Sequence, residues 1–129
     1  MRRLKIYVAG PYTPRDADIH DAVRVAHQNT IKAIKAGIKI IEKGHIPFIP
    51  HLTHFIHLET ENPLPVEFYY WYDMAWLEHC DALLYLGKSK GADKELEWAR
   101  QHGLRIFFSI DEIPPYKGDG YEGRGAAED

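Results

Sequence analysis

Leu4 to Ala9 is apolar apart from Lys5 and Tyr7, the pattern of a strand covered on both faces, and Gly10-Pro11 stops it. From about Asp21 to Lys43, apolar or small residues recur at Val23, Ala26, Thr30, Ile34, Ile38 and Ile41, spacings of three and four that predict a helix, with Gly44 as its C-cap. His45 to Pro50 is a short apolar run carrying two prolines, which reads as a second strand whose end leaves the sheet. His51 to Pro65 mixes His, Thr, Glu, Asn and Pro without a period, so a long loop with room for one helical turn is expected. Pro65 suits the first turn of a helix running to His79, with Phe68, Tyr72, Ala75, Trp76 and Cys80 as its apolar stripe. Asp81 to Gly87 reads as a third strand, Asp93 to His102 as a third helix closed by Gly103, and Leu104 to Ile110 as a fourth strand.

Strands alternating with helices mean a parallel sheet, so the fold class is α/β. The 129 residues, 45% of them hydrophobic, suffice for one domain with a real core and are too few for two. After Asp111 the composition turns to Gly, Pro, Glu and Asp, which divides the chain into a domain over residues 1–111 and a tail over 112–129, mobile from Pro114 onward.

Charge narrows the partners. Sixteen basic residues against nineteen acidic ones give a net charge of −3, without the field needed to hold a long nucleic acid. A small anion can still be held locally by backbone amides. The single cysteine, Cys80, leaves no internal disulfide framework, and Met1 to Lys5 lead into a strand without the apolar region of a signal peptide, so a cytoplasmic setting is expected. No apolar run approaches the roughly 20 residues that span a bilayer, so no membrane partner is expected.

Candidate chemistry collects at the carboxyl edge of the sheet, where open α/β sheets bind ligands. Three segments converge there: Gly10-Pro11-Tyr12 after the first strand, Pro50-His51 after the second, and Ser89 to Glu95 after the third. With the first strand central, Tyr7 comes within hydrogen-bonding reach of Glu95. Glu95 alone reads equally as a solvated helix glutamate, Asp73 as an exposed acid, Ser89 as an N-cap, and Gly10 and Gly91 as turn residues. Arg15 is a further cation for a phosphate site. His51, His54 and His57 suggest zinc, but no cysteine or carboxylate pair completes a zinc pattern, so ordinary pocket histidines and no metal are expected. The run Phe68-Tyr-Tyr-Trp-Tyr72 has more aromatics than one helix face can bury, which points to a subunit interface and a homodimer or larger homo-oligomer.

The segment Lys5-Ile-Tyr-Val-Ala-Gly-Pro-Tyr12, the helix carrying Asn29, Pro47-x-x-Pro-His51, Asp73 ahead of Cys80-Asp81-Ala82, and Ser89-x-Gly-x-x-x-Glu95 with Ala99 and Gly103 resemble the nucleoside 2-deoxyribosyltransferase superfamily over about residues 4–110. They are similar in particular to a branch of short proteins related to the 2'-deoxynucleoside 5'-monophosphate N-hydrolases. The resemblance implies a flavodoxin-like, doubly wound parallel sheet of four to five strands in one domain. It also implies an enzyme without cofactors that cleaves the N-glycosidic bond of a small nucleoside or nucleotide. Glu95 would be the nucleophile, Tyr7 its orienting partner, and Asp73 the group that contacts or protonates the base. Gly10, Pro11, Tyr12, His51, Ser89 and Gly91 would bind substrate, and a serine at position 89 favours a 5'-phosphate over a free 5'-hydroxyl. The alternative is a flavodoxin-like module that binds a nucleotide and does no chemistry.

Overall fold

A computed structural model describes residues 2–12 and 19–118. Its sheet has four parallel strands, β1 (Lys5–Ala9), β2 (Ile46–Phe48), β3 (Ala82–Tyr85) and β4 (Arg105–Phe107), in the order β2-β1-β3-β4. β1 is central. Its residues Ile6, Tyr7, Val8 and Ala9 lie opposite Ala82, Leu83, Leu84 and Tyr85 of β3. The order of the first strands reverses between β1 and β3, as in flavodoxin-like folds, and this makes a crevice at the carboxyl ends of those two strands.

Alternation along β1 divides the core into two layers. Ile6 and Val8 point toward α1 (Ile19–Glu42), joining Ala33, Ile40, Leu84 and Phe107. Tyr7 and Ala9 point to the other side, toward Leu77 of α3 (Val66–Leu77) and Ala92 and Ala99 of α4 (Lys90–Gln101). Helices on both faces explain why β1 reads as a nearly continuous apolar run.

Four expectations change. The buried stripe of α1 follows Ala26, Thr30, Ala33, Gly37 and Ile40, leaving Val23, Ile38 and Ile41 exposed. Small residues win this face because the helix lies close to the sheet; a Cβ on Gly37 would sit 2.4 Å from Ile49 Cδ1. Gly44, at φ 87°, caps the helix as expected, with its N–H and that of His45 reaching back to the carbonyls of Ile41 and Ile40. The stretch from His51 is more helical than expected: a 3₁₀ turn over Pro50–Leu52 leads into α2 (Thr53–Glu59), whose inward residue is His54, and only residues 60–65 remain a loop.

The third change is on α3, where Ala75 and Trp76 are exposed and the inward side runs through Tyr69, Asp73 and Leu77. The fourth is that the segment after Asp111 begins docked. Ile113 is buried, its carbonyl accepts from Lys43 Nζ, the Tyr116 N–H donates to Lys43 O, and Arg3 lies over the Tyr116 ring. The expectation of mobility from Pro114 onward does not hold for this strap, and the residues from 119 lie outside the described residues. Among the described residues no helix is long and apolar enough to cross a membrane.

Candidate active site

The crevice opens into a cavity of about 1260 Å³ bounded by the loop after β1, the first turns of α1, the 3₁₀ turn with α2, the inner side of α3, and the start of α4. Gly10, Pro11, Tyr12, His51, Asp73, Ser89, Gly91 and Glu95 all line it. Tyr7 lies beneath its floor, fully buried, and its hydroxyl donates to Glu95 Oε2. Arg15 lies outside the described residues.

Local structure explains why Tyr7 and Glu95 meet. The pleat of β1 turns Tyr7 to the α4 side, and Phe48 stacks on its ring at 5.6 Å, with Trp76 on Phe48 at 5.7 Å. On α4 the inward face is Ala92, Glu95 and Ala99, so a carboxylate occupies a position where helical spacing calls for an apolar residue. Its side chain is 8% exposed. Such a group is costly to bury unless it is bonded, and Tyr7 supplies the bond.

The charge state of Glu95 is set by burial and not by the start of the helix. Ser89 caps α4, accepting from the Ala92 N–H at 3.0 Å, so the helix begins at Lys90 and Glu95 lies in its second turn, where the helix dipole has faded. Burial dominates instead, raising the Glu95 carboxyl to about 7 against the opposing hydrogen bond from Tyr7. Asp73 is pushed higher, to about 8, by burial and then by the charge of Glu95. Burial first, and Glu95 second, also hold the Tyr7 phenol well above its ordinary value, so it remains a donor. Burial therefore favours the protonated form of Asp73 more strongly than that of Glu95, so Glu95 is the first of the two to ionise as the pH rises. Two carboxyls set apart in this way are the arrangement for one acid and one base or nucleophile.

The chain matches a family described as a domain of unknown function, DUF7768, over residues 4–109. It belongs to DUF7768. No curated protein matches the chain.

The remaining cavity residues of the DUF7768 domain have distinct duties. His51 is 6% exposed and its Nε2 donates to the carbonyls of Pro11 and Gly10, at 3.0 and 3.2 Å, which pins the loop after β1. Burial lowers its pKa, so it is a neutral fastener of the cavity wall. Gly10 is needed for close approach, since a Cβ there would lie 3.0 Å from Leu86 Cβ. Tyr12 meets His54 Nδ1 at 2.5 Å, and its carbonyl accepts from Asn29 at 2.9 Å.

Ser89 accepts through its oxygen and so keeps its O–H free, beside the amides of Lys90 and Gly91, which have no intrahelical carbonyl to reach. Asp93, at the same helix start, is bonded to Tyr85 at 2.6 Å and Lys88 at 3.2 Å, which offsets its charge there. Among the described residues no cluster of His, Cys, Asp or Glu has the geometry to hold a metal ion.

Sequence reasoning named His54 as a pocket histidine and Asn29 through the resemblance, without giving either a partner, and it did not single out Tyr69. His54 and Asn29 build the wall around Tyr12. Tyr69, one turn before Asp73 on α3, was hidden in a run of five aromatics.

Proposed function

We propose that this protein cleaves the N-glycosidic bond of a 2'-deoxynucleoside or its 5'-monophosphate and passes the deoxyribose to water or to a second base. The reading is carried by one observation: a buried glutamate bonded to a buried tyrosine, facing a cavity that is also lined by the carboxyl of Asp73. It agrees with the resemblance to the nucleoside 2-deoxyribosyltransferase superfamily.

Ionised Glu95 attacks C1', the bond from C1' to the base nitrogen breaks, and its electron pair leaves with the base. Asp73 supplies a proton to the departing base. The sugar is then an ester of Glu95. A water, or the ring N–H of an acceptor base, attacks C1' and gives its proton to the Asp73 carboxylate, and Glu95 departs as carboxylate. Tyr7 positions Glu95 throughout and steadies the charge that returns to it. The amides of Lys90 and Gly91, with the Ser89 hydroxyl, suit a 5'-phosphate. The outer face of α3, with Val66 80% and Trp71 66% exposed, is the surface we assign to a second copy of the chain in a cytoplasmic homo-oligomer.

The test is incubation with a panel of deoxynucleosides and their monophosphates, with and without an acceptor base, followed by chromatography. Base released by wild type and not by Glu95→Gln is the expected result. Saturable nucleotide binding with no release by either protein would replace the enzyme with a non-catalytic binding module.

A further inference from the structure

Three buried side-chain atoms lack a hydrogen-bond partner among the described residues: His51 Nδ1, Tyr69 Oη and Asp73 Oδ1. His51 has its other nitrogen in use, but Tyr69 and Asp73 leave their polar ends bare. They lie four residues apart on α3, on one face, and both line the cavity. A bare buried hydroxyl is destabilising, so native proteins keep few of them, mainly where something else completes the bond.

The surroundings hold Tyr69 ready. His57 meets its ring edge-on at 6.1 Å and Phe68 at 5.4 Å, which fixes where the hydroxyl points. The neighbouring phenol that could have satisfied it, Tyr12, is committed to His54. Nothing in the fold requires the Tyr69 oxygen. A phenylalanine would pack the same ring without leaving a bare polar atom.

We infer that Tyr69 and Asp73 together read one edge of the substrate's heterocycle, Asp73 bonding a ring nitrogen and Tyr69 the exocyclic oxygen or amine beside it. Several base edges pair a ring nitrogen with an exocyclic group; a proton on N7 of a purine weakens the glycosidic bond in the same five-membered ring, which selects the N7 and 6-substituent side. A hydroxyl both donates and accepts, so Tyr69 serves a 6-oxo and a 6-amino group alike, and loses its partner when the 6-position carries only hydrogen. The inference rests on the proposed glycosidase reading for the identity of the ligand, but it makes a claim about binding that does not need turnover.

The experiment measures calorimetric dissociation constants of hypoxanthine, adenine and unsubstituted purine for wild type and Tyr69→Phe. It runs beside base release from the three corresponding 2'-deoxynucleosides. Tyr69→Phe should weaken the two 6-substituted bases about tenfold and leave unsubstituted purine unchanged, as a single lost hydrogen bond would. Its melting temperature should equal or exceed that of wild type, because the oxygen removed has no partner among the described residues. The same loss for all three bases, no loss for any, or no binding of any base to wild type would overturn the inference. Discrimination by Tyr69 without base release would sink the glycosidase reading alone. Release by wild type with Tyr69→Phe indifferent to the 6-substituent would sink the inference alone.

Discussion

At the amino end of the sheet His45 uses both ring nitrogens, accepting from the Leu4 N–H at 3.0 Å and donating to the Pro114 carbonyl at 2.6 Å. Asp81 accepts from the Lys5 N–H, and Lys43 donates to Ile113 O. At the carboxyl end the pattern is reversed: among the described residues Tyr69 Oη and Asp73 Oδ1 have no partner, and buried Glu95 and half-buried Asp73 face a cavity. Buried polar groups that are paired hold a fold together, whereas buried polar groups left open weaken it and await a ligand. The two ends of one sheet therefore carry stability and function separately.

Substitutions that exchange these roles should break the comparison, and the largest effect belongs to Glu95. Glu95→Gln should lower the rate of base release about a thousandfold or more while the protein stays folded, measured by single-turnover chromatography beside a thermal melt. Asp73→Asn should lower it by about 10²-fold, the loss of a general acid.

The stability of Asp73→Asn has a defined pH dependence. Folding raises the Asp73 carboxyl from 3.8 to about 8, so the folded state binds the proton more tightly and the wild type loses stability as pH rises from about 4 to about 8. The asparagine variant lacks that loss. It should melt several degrees above wild type at pH 9, with the gap closing as the pH falls to 4. A gap constant with pH would mean that Asp73 is not protonated at neutrality.

The amino end should respond in the opposite sense. His45→Ala strands the Leu4 N–H and the Pro114 carbonyl, and should cost about 2–3 kcal/mol by urea unfolding with turnover per folded molecule unchanged. The smallest change is expected for Arg2→Ala. Its ion pair with Asp81 at 2.8 Å is held by an arginine side chain 76% exposed, and such pairs contribute at most about 1 kcal/mol.

The fold was legible where burial on both faces or a cap leaves a local mark. β1 and β3 show as apolar runs, Gly44 and Gly103 as helix ends with positive φ, and the order of elements gives the parallel sheet. α2 was hidden because its inward positions are filled by histidine, which no apolar period detects. The facing of α3 was hidden for the opposite reason. Aromatics cover every side of it, so only tertiary packing selects Tyr69, Asp73 and Leu77 as the inward set.

At the site, the meeting of Tyr7 and Glu95 followed from strand order and pleat. The proton on Asp73 did not, because it depends on how deeply two carboxyls share one cavity. The docking of Ile113 and Tyr116 was also illegible, since a Pro- and Gly-rich composition gives no sign that isolated side chains will find a seat.

The central claim is that Glu95 is the nucleophile. It is tested most directly by mixing the protein with a 2'-deoxy-2'-fluoroarabinosyl purine, whose electron-withdrawing fluorine slows release of a sugar ester, and mapping the adduct by peptide mass spectrometry. One sugar on the peptide carrying Glu95, with free base in equal amount and neither in Glu95→Gln, is the predicted result. Base release that persists in Glu95→Gln, or a sugar attached to another residue, would contradict it.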